Sequence, residues 1–454
     1  MTRVTLVYPF FQPIKDNSIF RFPPLGLGYI AASLGKRGVA VNLVDCTFLN
    51  MRQAVEKIKR SKSEIVGIYS MFSMKKTSLE IAKQIRGTCS LLVAGGPLPT
   101  LDPTDFLDVF DVVAVGEGEE TMLELVECVE SGRSVLNVKG IAYKENGLPK
   151  FTQQREFVED LDSLAFPARE LFDNGAYKKY YLGRFGYSTT PLISSRGCPF
   201  SCDFCSRPVF GTSFRARSPE NIVAEVKEIE HLGYERVWFA DDCFTLKPEN
   251  VERVCDLLER RNLNIGWECL SRVDTIDLDV ARKMKRAGCV RVFFGIESGN
   301  DNVLGIMNKQ ITTSQARRAV FAAKEAGLQV GAFFIVGYPG ETDSTVLDTV
   351  RFASALPLDY LSFTLPYPIP GTALHERVKD KGDFMVDDWE EPKNRSLIRH
   401  KLLYGSSFSE TKLKFAIAKA QVQYRSRRFL GDDAYNVVGA PFEGLTDAAF
   451  KLLR

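Results

Sequence analysis

The chain has 454 residues, of which 45% are hydrophobic and 26% charged, with a formal net charge of +2. That length accommodates two or three domains with sizeable cores, and the near-neutral charge gives no electrostatic case for a nucleic-acid partner. No run of about 18 apolar residues reads as a membrane span, and the N-terminus enters a strand-like run without a signal-peptide core, which predicts a cytoplasmic protein.

Residues 1–135 alternate apolar strand runs with amphipathic helix patterns. Strands are predicted over 4–10, 39–45, 64–70, 91–97 and 112–119, and helices over 24–38, 51–60, 78–86 and 121–131. The first helix begins at Pro24 and is followed by Gly38, the expected punctuation for a helix start and stop. Strands apolar on both faces imply a sheet covered on both sides, and repeated βα units imply a Rossmann-like, doubly wound layer. Ligands in such sheets bind beyond the carboxyl ends of the strands. Those ends carry Ser70 and Phe72, then Gly95, Gly96 and Pro97, then Gly116, Glu117, Gly118 and Glu119. The last group lacks the G-x-G-x-x-G spacing of a dinucleotide site, so a nicotinamide cofactor is not expected.

Residues 136–185 read as a linker, with 157–169 a loop plus short helix. The βα alternation then resumes. Strands are predicted over 192–195, 236–240, 265–270, 291–296, 330–336 and 360–365, with a helix over 221–232. Each strand ends in polar or Gly/Pro-rich residues, which in a parallel barrel mark the ligand face. Six such units suggest an open, partial barrel. Residues 376–454 are mixed and charged, with a helix over 411–430.

The first strand of this second series delivers Cys198, Cys202 and Cys205, spaced C-x-x-x-C-x-x-C with Phe204 before the last cysteine. Three thiolates this close suit soft metal chemistry. A structural zinc site needs a second Cys or His pair. Cys243 is unpaired, and none of the three histidines, His231, His375 and His400, is near the triplet in sequence. An iron–sulfur cubane usually takes four cysteines, so three would leave one iron open. The other seven cysteines, Cys46, Cys89, Cys128, Cys243, Cys255, Cys269 and Cys289, are isolated in apolar patterns and read as packing residues. Cys243 and Cys269 fall at predicted strand ends.

The run Cys198-x-x-x-Cys202-x-Phe204-Cys205 resembles the signature of the radical S-adenosylmethionine (radical SAM) enzymes. That resemblance implies a 4Fe-4S cluster on the three cysteines, with S-adenosylmethionine chelating the fourth iron. Reductive cleavage would then give a 5′-deoxyadenosyl radical that abstracts hydrogen. It further implies Asp241 or Asp242 near the methionine ammonium, Arg272 near its carboxylate, and Glu297 and Ser298 near the ribose or amino group. Tyr367, Gly371 and Thr372 would flank the adenine. Lys309 also matches, although helix capping around Thr312 explains it nearly as well.

The segments Pro23-Pro-Leu-Gly-Leu27, Gly95-Gly-Pro97 and Gly116-Glu-Gly-Glu119 together resemble the cobalamin-binding domain that precedes the barrel in one subgroup. The glycine-bearing strand ends named above would then face cobalamin. One feature departs from many cobalamin proteins, which offer a cobalt-ligating histidine in D-x-H-x-x-G. Here the run is Asp45-Cys-Thr-Phe-Leu-Asn50, with Thr47 at the histidine position and Asn50 at the glycine position.

The expected architecture is therefore α/β. It comprises a Rossmann-like cobalamin-binding domain over 1–135, a linker over 136–185, and a partial (β/α)6 radical SAM barrel over 186–375. A mostly helical tail over 376–454 would contribute to substrate binding. The expected activity is a cobalamin-dependent methyltransferase acting on an unactivated carbon. The alternative is a cyclase, oxidoreductase or C–C bond-forming enzyme with the same cofactors, and a non-enzymatic cofactor carrier is a further rival. Methylthiolation of tRNA would require a second cluster, for which the first third has no cysteine trio. Expected partners are an external one-electron reductant and a small-molecule, lipid or peptide substrate.

Overall fold

The computed structural model describes residues 2–11, 18–206, 209–380, 402 and 404–453. The chain divides into two compact units, Met1–Gly197 with Pro208–Val237, and Cys198–Arg207 with Trp238–Arg454.

The first unit is built on β1 (Arg3–Tyr8), β2 (Ala40–Asp45), β3 (Ile65–Tyr69), β4 (Leu91–Gly95), β5 (Val112–Ala114), β6 (Ile141–Glu145) and β7 (Leu148–Phe151), in the order β2-β1-β3-β4-β5-β6-β7. The first five strands run parallel. Helices α1 (Leu25–Lys36), α2 (Met51–Ser61), α3 (Lys75–Ile85), α4 (Pro97–Leu101) and α5 (Glu119–Ser131) connect and follow them. The sheet is buried on both sides. Val7, Ile68, Leu92 and Val113 pack into one core cluster, and Leu6, Ile65, Val93 and Val112 into another. This is the doubly wound layer that the strand pattern predicts.

The predicted linker holds three elements that were not anticipated. Residues 136–156 read as linker, yet β6 and β7 form a hairpin, and β6 extends the sheet antiparallel to β5. The signal was Asn146-Gly147, which adopts φ of 51° and 81° between the strands, the left-handed pair a type I′ hairpin turn requires. The linker also contains α6 (Asn174–Phe185), capped by Asp173, whose side chain accepts from the Ala176 amide. Pro97 was read as part of a strand end and is instead the first residue of α4.

The first unit also holds β8 (Thr189–Leu192), β9 (Ser195–Arg196), β10 (Arg215–Ala216) and α7 (Pro219–His231). β9 and β10 form a two-stranded antiparallel ladder. β11 (Arg236–Phe239) begins in this unit and ends in the next. The first unit therefore continues past both 135 and 185, the boundaries the sequence suggested.

The second unit contains α8 (Pro248–Arg261), β12 (Gly266–Ser271), α9 (Leu278–Arg286), β13 (Cys289–Glu297), α10 (Asp301–Ile306), α11 (Thr313–Glu325), β14 (Gln329–Ile335), α12 (Asp343–Ser354), β15 (Tyr360–Thr364) and α13 (Ala373–Val378). Strands β12 to β15 pair in parallel sequence neighbours. The six-stranded sheet has the order β15-β14-β13-β12-β11-β8, the open array of six that the sequence predicts. Helices α14 (Glu410–Leu430), α15 (Asp432–Val438) and α16 (Ala440–Leu452) make the C-terminal region helical. Residues 381–401 and 403 of the expected tail lie outside the described residues. Among the described residues, no helix is long and apolar enough to cross a membrane.

Candidate functional site

Cys198, Cys202 and Cys205 are half-buried thiols, none in a disulfide, on one loop of the second unit. The loop is braced from several elements. Asp203 N donates to Met307 O at 3.0 Å, and Leu374 N donates to Asp203 O at 2.9 Å. Arg377 Nη2 meets Asp203 Oδ2 at 2.7 Å. Asn308 Nδ2 donates to Ser201 O at 2.8 Å and to its Oγ at 3.0 Å. Phe204 packs against the Val303, Met307, Ile335, Tyr338 and Leu374 cluster, its ring 6.4 Å from that of Tyr338. Burial pushes the Cys198 thiol up, opposed by the Phe200 backbone hydrogen bond and reinforced by Asp242, Cys243 and Cys202.

Among the described residues, no three Cys, His, Asp or Glu side chains converge as ligands of one metal ion. A single zinc ion needs its donors around one point, whereas a cubane presents separate irons to its thiolates. Three half-buried thiols on a loop fixed through Ser201 and Asp203 fit an iron–sulfur cluster in the chemistry of their donors.

Arg272 is buried, and its guanidinium lies 3.5 Å from the centre of the Phe200 ring. Nε and Nη2 form a fork with Asp274 at 2.9 and 2.8 Å, and Nη2 also donates to Lys309 O at 3.1 Å. This arrangement fixes the guanidinium against the cysteine loop and leaves Nη1 outside the fork.

Glu297 ends β13 and pairs with Lys309 at 3.1 Å, both side chains being about one-tenth exposed. A Cβ at Gly295 would stand 2.7 Å from the Glu297 carboxylate and 3.1 Å from Lys309 Nζ, so glycine there leaves room for the pair. Burial depresses the Lys309 ammonium, but Glu297 and then Cys202 outweigh it and hold the group above its usual value. Glu297, Asn308 and Gln310 adopt φ of 71°, 51° and 57°. Left-handed non-glycine residues cost on the order of 1–3 kcal/mol each and cluster at functional sites. The Asn308-Lys309-Gln310 turn thus contacts the cysteine loop, Arg272 and Glu297 at once. The sequence singled out Lys309 but not Asn308.

The remaining expected residues differ in how open they are to a ligand. Asp241 is buried and Asp242 exposed after β11. Ser298 is fully buried, its Oγ 3.0 Å from Thr349 Oγ1 and accepting from Asn300 N at 3.2 Å. Thr372 caps α13, accepting from His375 N at 3.2 Å and donating to Ile369 O at 2.6 Å. Gly371 has φ 80° with open space where a Cβ would be. Tyr367 lies in the segment joining β15 to that cap.

The sequence reading missed Glu341. Its Oε2 accepts from the Gly337 and Tyr338 amides at 2.7 and 2.8 Å, while Oε1 is buried without a hydrogen-bond partner among the described residues. Burial raises its pKa to about 7, against the lowering effect of those two amides. The folded state therefore holds a proton that the unfolded chain releases near 4.5. The resulting stability is full below about pH 4.5 and lost as pH rises through about 7, amounting to about 3 kcal/mol. Urea unfolding between pH 5 and 8 is expected to show this decline, and Glu341→Gln is expected to flatten it.

In the first unit, Ser70 is fully buried and its Oγ accepts from Ser78 Oγ at 3.1 Å. Phe72 opens the short turn before α3. Gly96 has φ 108°, and a Cβ there would stand 2.7 Å from Ser70 O and 2.9 Å from the Tyr69 ring. Gly96→Ala is expected to lower stability by about 1–3 kcal/mol, read as a fall in Tm. A Cβ at Gly118 would meet Ile30 at 2.8 Å, whereas those at Gly95 and Gly116 would meet nothing closer than 3.8 Å. Gly95 and Gly116 thus leave backbone open at the ends of β4 and β5, where a planar cofactor fits. Glu117 and Glu119, expected to face the same cofactor, have buried carboxylates that pair with arginines.

At the expected histidine position, Thr47 bonds inward. Its Oγ1 donates to Asp45 Oδ1 at 2.6 Å, and Tyr177 OH donates to Asp45 Oδ2 at 2.7 Å. Burial raises the Asp45 pKa, opposed by these hydrogen bonds. Asn50, at the expected glycine position, caps α2 in a capping box with Gln53. Neither position offers a nitrogen ligand of the imidazole type.

Comparison with known proteins accords with both units. Residues 192–353 match the radical SAM superfamily and residues 13–126 match the B12 binding domain. An uncharacterized methyltransferase of Pyrococcus horikoshii is 34% identical over 379 residues, covering 81% of this chain and 81% of the relative. The anaerobic magnesium-protoporphyrin IX monomethyl ester cyclase of Rubrivivax gelatinosus is 29% identical over 406 residues, covering 86% of this chain and 72% of the relative. The radical S-adenosylmethionine methyltransferase TsrM of Kitasatospora setae, solved with cobalamin and a 4Fe-4S cluster, superposes with a TM-score of 0.70 at 18% identity, covering 84% of this chain and 75% of that one. At that identity the likeness is one of fold.

Proposed function

Since the chain belongs to the radical SAM enzymes that carry a B12-binding domain, we propose that it is a cobalamin-dependent methyltransferase acting on an unactivated carbon. The observation that carries this reading is the loop of three half-buried thiols, braced by Asn308 and Arg377 and stacked on by Arg272. When bound, the cluster supplies the electron that splits the S-adenosylmethionine sulfonium into methionine and a 5′-deoxyadenosyl radical, and cobalamin supplies the methyl group.

In this reading Cys198, Cys202 and Cys205 each hold one iron. Arg272, oriented by its fork to Asp274, turns Nη1 toward the methionine carboxylate. Asp241 or Asp242 would receive its ammonium, and Glu297 the ribose or amino group. Ser298 and Thr372 act on the same ligand through the backbone turns they cap, since their hydroxyls are engaged. Tyr367 and Gly371 border the adenine. Open backbone at Gly95 and Gly116 would hold the corrin, and Thr47 would supply no imidazole to it. The electron comes from an external reductant, and the helical C-terminal region is where a small-molecule, lipid or peptide substrate is selected. Ten cysteines with no disulfide among them suit a reducing, cytoplasmic setting.

Anaerobic purification with cobalamin present tests this. The expected result is about four irons and about one corrinoid per chain. Iron without corrinoid contradicts it. The similarity to a magnesium-protoporphyrin cyclase favours a second reading, radical ring closure with the same cofactors, which predicts no S-adenosylhomocysteine.

A further inference from the structure

We propose that Glu117 and Glu119 are positioning residues for the iron–sulfur loop, acting through Arg196 and Arg215, and that their carboxylates are not corrinoid contacts. The inference rests on reading Cys198, Cys202 and Cys205 as cluster ligands.

The cysteine loop leaves β9 at Arg196 and returns to β10 at Arg215, and these two arginines are direct cross-strand partners. Each strand is only two residues long, too short to hold the neck of the loop by its own ladder. Side chains supply what the ladder lacks. Glu117 Oε1 accepts from Arg196 Nη1 at 2.9 Å and from Arg215 Nη1 at 3.0 Å. Its Oε2 accepts from Val158 N at 2.7 Å and from Arg215 at 3.2 Å. Glu119 Oε1 accepts from Arg196 Nη2 at 2.6 Å.

All four side chains are at most 5% exposed. Both oxygens of Glu117 are therefore occupied, and the fork of Arg196 is shared between the two acids. Charge-assisted forks of this kind fix orientation as well as supplying energy. Arg215 lies over the Phe157 ring at 4.8 Å, which leaves its guanidinium little freedom. The neck is closed at the backbone too. Gly197 has φ 84°, and a Cβ there would collide with Ser213 O. Cys198 is the next residue in the chain after this neck.

The test uses the full chain, anaerobically reconstituted, as Glu117→Gln and as Glu119→Asp, the latter keeping the charge but shortening its reach to Arg196. Hydroxocobalamin binding is followed by absorbance, iron release by a chelator assay, and the dithionite-reduced cluster by EPR with and without S-adenosylmethionine. The expected result is unchanged corrinoid affinity, which also reports a folded first unit. Iron should be lost about 10-fold faster, and the EPR signal obtained with S-adenosylmethionine should be altered. Corrinoid affinity about 10-fold weaker with iron release and EPR unchanged would overturn the inference, as would variants indistinguishable from wild type. Should Glu117→Gln fail to fold, Glu119→Asp and Arg196→Lys carry the same comparison. A wild-type protein that takes up no iron overturns the cluster reading and this inference together, a result distinct from any change confined to the variants.

Discussion

Replacing Cys198, Cys202 or Cys205 by alanine is expected to abolish S-adenosylmethionine cleavage and iron retention while leaving the fold intact. The thiols are half-buried on a loop whose anchors are not the cysteines themselves but Ser201 and Asp203. Removing one sulfur from such a loop is expected to alter stability by no more than about 1 kcal/mol. The chemical effect is far larger. With two thiolates, an iron of the cubane loses its only protein ligand, and cleavage is expected to fall by at least about 10³-fold, equivalent to about 4 kcal/mol of barrier. Cys255→Ala is the control, since Cys255 is fully buried within α8. It is expected to lower Tm and to keep its iron. Iron content, absorbance near the visible charge-transfer region and 5′-deoxyadenosine yield check all four variants.

Breaking the Glu297–Lys309 pair is expected to give a large loss of stability. Lys309→Met leaves the Glu297 carboxylate buried and unpaired, a change that typically costs about 3–5 kcal/mol. For a unit of this size that corresponds to a fall in Tm of about 10 °C. The double variant Lys309→Met, Glu297→Met removes both charges and is expected to recover most of that stability. S-adenosylmethionine affinity is expected to behave differently. If the pair faces the cofactor, both the single and the double variant bind it at least about 10-fold more weakly, because stability returns but the polar contacts do not. A double variant that regains wild-type affinity would assign the pair to folding alone. Thermal unfolding and equilibrium binding of S-adenosylmethionine to the reconstituted protein separate the two.

Much of this molecule was legible in residue order. Parallel strands buried on both faces read as apolar runs, so β1 to β4 and β11 to β15 were visible with little displacement, while β5 and β8 end five and three residues before the predicted strands. The cysteine spacing was equally direct, because ligands on a single loop need no tertiary information. What escaped was of two kinds. The β6–β7 hairpin was missed although Asn146-Gly147 announced it, because the exposed strand β7, carrying Pro149 and Lys150, lacks an apolar pattern. The partners of charged side chains were missed because they are far away in sequence. Glu117 is 79 residues from Arg196 and 98 from Arg215. Its place among the open glycines suggested a cofactor contact, and only the fold reveals the two guanidiniums that occupy it. Glu341 was hidden for a similar reason, since its burial comes from packing and not from its neighbours in the chain.

The most direct test needs no knowledge of the substrate. The anaerobically reconstituted protein, with cobalamin and a low-potential reductant, is incubated with S-adenosylmethionine, and the adenosyl and corrinoid products are quantified together by mass spectrometry. A cobalamin-dependent radical SAM methyltransferase yields 5′-deoxyadenosine from reductive cleavage, and methylcobalamin with S-adenosylhomocysteine from methyl transfer to cobalt. Formation of 5′-deoxyadenosine alone, with the corrinoid unmethylated, would contradict methyl transfer and leave a radical enzyme of the ring-forming kind.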